Sequence, residues 1–141
     1  MKTLIAAAFL LLGLGVAHAA AGTVEGPWKP SSTTSVSITG PIVLAPGRLT
    51  AAGADFPLRL VAEPPAFRSE QGARPARVFA VTRPTNPPLL NGNRLCGADP
   101  ATWIVVQPTP PDALQITAFT GPRKPTGEDS PDLCGVFFYD R

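Results

Sequence analysis

Two cysteines are the residues best placed to do chemistry in this 141-residue chain. Each stands in the same tripeptide, Leu95-Cys96-Gly97 and Leu133-Cys134-Gly135. An even cysteine count in an exported chain reads as a disulfide framework. Redox or metal chemistry is the competing use. Redox centres favour C-x-x-C, and these two lie far apart in sequence. A zinc set needs further Cys or His ligands, and the single His of the chain is His18. A Cys96–Cys134 bond is therefore expected. The matching Leu-Cys-Gly contexts predict that both cysteines sit at comparable strand starts, with each Gly letting the backbones approach.

No catalytic residue, metal ligand or cofactor is assigned. Without a usable His, neither Ser–His–Asp nor Cys–His machinery can be assembled. Carboxylate-only catalysis would need two acids at a set separation across a cleft. The candidates are Glu25, Asp55, Glu63, Glu70, Asp99, Asp112, Glu128, Asp129, Asp132 and Asp140. Most stand beside Pro or Gly, as acids of solvated turns do. Glu128, Asp129 and Asp132 share one loop and could converge on calcium. The residue order of an EF-hand loop is absent, which favours an ordinary solvated loop. Arg68, Arg74, Arg77 and Arg83 form the remaining cluster, and Arg77 and Arg83 share strand parity. Guanidinium groups bind carboxylates and phosphates in bidentate fashion. The chain carries a net charge of only +2, so a mixed solvated surface is expected there rather than a nucleic-acid footprint.

The elements that must position these groups begin after the first segment. Lys2 precedes an apolar run from Leu4 to Ala17, and small residues follow through Ala21. A basic start, a short apolar core and an A-x-A site are the parts of a signal peptide. The run falls short of a spanning helix, and Gly13 and Gly15 weaken it further. Residues 1–19 are expected to be removed by a cut after Ala19, with Ala21 as the alternative. The product would be periplasmic or secreted and would not span the membrane. It would contain no His and no Met, and 11 Lys and Arg against 10 Asp and Glu.

All 18 Pro lie beyond that cut, in a length that admits one domain. Residues 20–34 read as an irregular lead-in, with Trp28 as a lid over one end of the core. Residues 35–141 read as a single β domain. Period-two alternation marks residues 35–39, 48–51, 56–63 and 114–119, and side chains of a strand do alternate faces, while 76–83 reads as a strand apolar on both faces. Pro57, which lacks an N–H, belongs at a strand start or edge. Shorter apolar runs mark 42–44, 102–107 and 136–139. Residues 64–75 and 121–132 are long polar loops, and Asn91-Gly92 suits the positive φ values of a tight hairpin turn. About eight short strands between Gly and Pro turns predict an all-β domain, a small antiparallel β-sandwich or barrel with one disulfide.

The order S-I-T-G (37–40), F-P-L (56–58), N-R-L-C-G (93–97), T-W-I-V-V (102–106), A-F-T-G (118–121) and L-C-G-V-F-F-Y (133–139) resembles a group of short, exported, uncharacterised bacterial proteins. The resemblance implies an extracytoplasmic β domain with one disulfide and transfers no site. Lysozyme inhibitors are similar in size, export and β content, but their inhibitory motif is not matched. The expected function is a non-enzymatic binding or envelope-associated module whose partner is a protein or glycan of the cell envelope. Nucleic acid is not expected as a partner. An inhibitor of an extracytoplasmic hydrolase, presenting loop 64–75 or 121–132, is the second class. A small barrel carrying an apolar ligand is the third. The export reading predicts that the intact mass of the released protein corresponds to a chain beginning at Ala20. A membrane-bound product retaining Met1 would overturn it.

Overall fold

A computed structural model describes residues 23–141. The expected signal segment and both candidate cut sites lie outside the described residues. The elements run β1 (Gly26–Pro30), α1 (Thr33–Ile38), β2 (Ile42–Ala45), β3 (Arg48–Ala51), β4 (Ala54–Ala62), β5 (Phe67–Ser69), β6 (Gly72–Arg74), β7 (Arg77–Val81), β8 (Trp103–Thr109), β9 (Ala113–Phe119) and β10 (Leu133–Asp140). Eight strands close into an antiparallel barrel in the order β1-β10-β9-β8-β7-β4-β3-β2. The expectation of an all-β fold with one disulfide holds, and the choice between sandwich and barrel falls to the barrel. The other two strands, β5 and β6, form a separate hairpin.

Alternation fills the interior. Ile42, Leu44, Leu49, Phe56, Ile104, Leu114, Ile116, Phe137 and Tyr139 all point inward and are buried. Eight strands give a bore just wide enough for such side chains to fill. The Tyr139 hydroxyl is satisfied inside by Thr39 Oγ1 at 2.7 Å. Residues Ala52-Gly53 turn β3 directly into β4, with Ala51 opposite Ala54. Both have positive φ, 49° and 77°, as a two-residue hairpin that matches strand twist requires.

Several expectations are corrected. The lead-in 20–34 is not irregular throughout, because β1 lies inside it. Its two prolines hide the alternation, yet Trp28 is buried and its Nε1 donates to Val24 O at 2.8 Å. Residues 35–39 are not a strand but belong largely to α1. Ser32 and Ser35 form a reciprocal capping box, and Ser35 Oγ donates to Phe138 O at 2.8 Å. This local capping outweighs the β preference of Val36 and Ile38. A strand would place those two on one face. In α1 Ile38 packs on the core and Val36 is 54% exposed. Pro57 lies within β4 and not at its start. The strand changes partner there, pairing with β3 through Pro57 and with β7 from Leu58 onward. The missing N–H falls at that switch. Asn91 and Gly92 do have positive φ, 57° and 72°, but they join no strands. They turn a loop against α1, where Asn91 and Asn93 amides donate to Ser37 O.

Cys96 and Cys134 are bonded, with Cα atoms 5.1 Å apart. Their surroundings are unlike. Cys134 is the second residue of β10, whereas Cys96 sits in a turn of the 82–102 connection. Leu95 is 5% exposed and Leu133 is 41% exposed, so the repeated tripeptide does not mean a repeated environment. Gly135 is the close-approach glycine, since a Cβ there would meet the Phe137 ring at 2.7 Å. Closing a loop of this size contributes about 4 kcal/mol in the chain-entropy view. Cys96→Ser is expected to lower unfolding free energy by roughly 2–4 kcal/mol in denaturant titration, and reductant should do the same to the wild type.

Tyr139 is the sole tyrosine, so its ionisation can be followed alone. Burial raises its pKa well above the usual 10, and the Thr39 hydrogen bond opposes that only in part. The unfolded chain releases this proton first. The resulting stability is therefore present below about pH 10 and is lost as pH rises above it. The phenolate absorbance band is expected to appear only together with loss of barrel circular dichroism.

Candidate functional site

The outer face of β7–β9 is buried, although a barrel wall normally meets water. Val78, Val105 and Phe119 point outward from it, as do Gln107, Gln115 and Thr117. What covers them is built from the two segments read as separate polar loops. Segment 63–76 leaves one end of the barrel between β4 and β7. Segment 120–132 leaves the opposite end between β9 and β10. They meet over the wall, where Arg68 bridges Gly127 and Glu128 N donates to Arg68 O at 2.8 Å.

Phe67 explains the position of this flap. It heads the β5–β6 hairpin, is fully buried, and packs with Ala76, Val78, Val105 and Phe119. A polar composition around one Phe disguised a strand with one inward anchor. The hairpin base is closed by Ala76 N donating to Pro64 O at 3.0 Å. Two glutamines that are register partners on β8 and β9 then hold the two halves of the flap. Gln107 Nε2 donates to Phe67 O at 3.1 Å and lies 3.4 Å from Arg74 O. Gln115 Nε2 donates to Thr117 Oγ1 and to the Glu128 carboxylate. The other Glu128 oxygen accepts from Glu70 N at 2.9 Å. Each glutamine keeps a buried Oε1 without a protein donor. That lowers the net value of the latch, because a buried unpaired acceptor costs about 1–3 kcal/mol.

The charged groups singled out by sequence are thereby placed. Glu128 is a latch and Asp129 pairs with Arg68 at 2.7 Å, so the 128–132 acids do not converge on a cation. Among the described residues no group of three or more His, Cys, Asp or Glu is arranged to hold a metal ion. Arg77 lies 3.5 Å from Glu63, and Arg74 donates to Gln71 Oε1 at 2.6 Å. Arg83 lies beyond the end of β7, so its parity with Arg77 forms no shared face. Asp55 accepts from Thr50 Oγ1 at 2.7 Å. The acids and arginines of the flap region thus hold structure together.

The hairpin tip, Glu70-Gln71-Gly72, is exposed at every residue. Ser69 Oγ accepts from Gln71 N and donates to Gly72 O, both at 3.2 Å, which fixes the turn. Sequence reasoning missed that the two loops form one body. The only signal was Phe67 alone in a polar stretch.

Comparison with protein-family models, curated proteins and solved structures finds no match.

The flap analysis predicts the effect of removing its anchor. Phe67→Ala is expected to cost about 3 kcal/mol. Mass spectrometry of a brief tryptic digest should show cutting after Arg68 under conditions that leave the wild type whole.

Proposed function

We propose that the chain is an exported, non-enzymatic binding module that presents its flap to a partner in the cell envelope. Of the forms such a module can take, an inhibitor of an extracytoplasmic hydrolase fits the flap best. The observation that carries this reading is the tip Glu70-Gln71-Gly72, exposed yet tied at both sides. A loop held in one conformation loses little entropy on entering a cleft, which is how rigid loops gain affinity. The barrel interior is packed with Phe56, Phe137, Tyr139 and aliphatic side chains, and offers the module's stability rather than a chamber for a large ligand.

Export to the periplasm or medium is part of the proposal. The basic, apolar and A-x-A pattern of residues 1–21 supports it, as does the Cys96–Cys134 bond. Among the described residues no helix is long and apolar enough to cross a membrane.

The test is inhibition of a panel of envelope muramidases, amidases and proteases by the purified chain. A Glu70→Ala, Gln71→Ala double variant is compared with the wild type. At least one enzyme should be inhibited, and the tip variant should weaken inhibition by roughly 30-fold, about 2 kcal/mol, as loss of a central contact does. Inhibition unaffected by the tip variant, co-sedimentation with peptidoglycan alone, or substrate turnover by the chain itself would each overturn the reading.

A further inference from the structure

We propose that the open mouth of the barrel is a binding site for a small uncharged apolar molecule, about the size of one aromatic ring. The two barrel ends differ. One end receives α1, Leu89, Leu95, Ala101 and the disulfide, all packed on the core. At the other end, where the β2–β3 turn and the starts of β1 and β7 gather, Val24 and Trp28 pack on the core near the β8–β9 turn, and among the described residues the β4–β7 side is left open. Beside it β4 has already left β3, and Leu58 N donating to Gly47 O at 2.8 Å is the last tie across that seam.

Side-chain parity shows what the mouth exposes. Phe56 and Leu58 point inward from β4 and are buried, and Leu60 continues the row. Its register partner on β7 is Phe79, which belongs to the inward row of Val81. Leu60 is nevertheless 46% exposed. Inward apolar side chains without cover line a cavity of about 190 Å³ together with Val24, Leu44, Leu58 and Val106. Drug-sized ligands occupy about 300–1,000 Å³. An apolar cavity of about 150 Å³ holds benzene. The volume therefore selects a single ring or a short alkyl group.

Charge at the rim selects the head group. Glu25 and Arg77 border the cavity, and Glu63 lies 3.5 Å from Arg77. The Arg77 guanidinium is already paired with Glu63 and Glu25 adds a second carboxylate at the border, so an anionic head is repelled and a fatty acid is a poor fit. An uncharged head suffers no such repulsion.

The site uses none of the flap-tip residues, so its failure and the failure of the inhibitor reading are separable. The experiment titrates the full exported chain with benzyl alcohol and, separately, with benzoate. The readout is the methyl NMR signals of Leu44, Leu58 and Val106. Benzyl alcohol should give saturable shifts confined to these methyls, with benzoate at least about tenfold weaker, which is 1.4 kcal/mol or more. Leu60→Trp, which fills the mouth from its rim, should abolish the shifts without lowering the melting temperature. Val43→Trp, on the outer wall, should leave them unchanged. Shifts that do not saturate, that persist in Leu60→Trp, or that favour benzoate would overturn the proposal. So would methyl shifts that depend on protein concentration without ligand, since a second copy would then fill the mouth.

Discussion

Closure of the sheet through β1 is the constraint on which the other features depend. Five residues split their pairing between two neighbours. Gly26, Pro27 and Trp28 pair with β2, while Lys29 and Pro30 pair with β10. Without this strand, β2 and β10 would both be free edges, open to pairing with other chains. Two of the five are Pro, so the ladder alone is thin. Side chains reinforce it. Trp28 enters the core, and Arg141 lies 4.3 Å above its ring while donating to Thr23 O and Glu25 O. Ser32 and Ser35 continue the seam where β1 ends, contacting Phe138 N and O. The helix α1 is therefore part of the barrel wall as well as a plug.

The flap obeys a different balance. Its visible ion pair, Arg68–Asp129, is exposed on both sides, and such pairs contribute about 0–1 kcal/mol. Phe67 is wholly buried, and burying a Phe is worth about 1.5–3 kcal/mol. Apolar anchoring thus outweighs charge in fixing the flap. The ion pair and Glu128 instead set the relation of one loop to the other. A flap with one apolar anchor and polar latches opens more readily than the barrel, because local stability follows buried apolar contact.

How much of this was legible in the sequence depends on where the stabilising contacts are. β8, β9 and most of β4 and β7 declare themselves, because their alternation or apolar runs reflect burial between direct neighbours. β1 does not, because Pro27 and Pro30 mask a strand held by one Trp. Residues 35–39 show alternation yet join a helix, since the local Ser32–Ser35 capping box is reinforced by Phe138 N and O, which only the folded wall brings to it. The flap was legible only as two loops. Arg68 and Gly127 are distant in sequence, and nothing local in either segment points to the other. The disulfide was legible by compartment and count, but Leu-Cys-Gly suggested a symmetry that the environments of Leu95 and Leu133 break.

The same asymmetry runs through the whole molecule. The covalent bond, α1 and the 82–102 connection all reinforce one end. Their bonds restrict the region where long connections leave the sheet, which is where unfolding entropy would be greatest. The other end is secured by short turns at 45–48 and 109–113, which close with few side chains and cannot fill the bore. A barrel needs one well-packed layer to hold its shear and register, and Phe56, Ile104, Ile116 and Phe137 supply that layer. Beyond that layer the strands run on toward the mouth with inward apolar residues, Leu60 and Phe79, that the two short turns do not reach and that segment 63–76, laid on the outer wall, leaves uncovered. An uncovered mouth is thus the geometric consequence of placing every long connection either at the opposite end or on the outer wall.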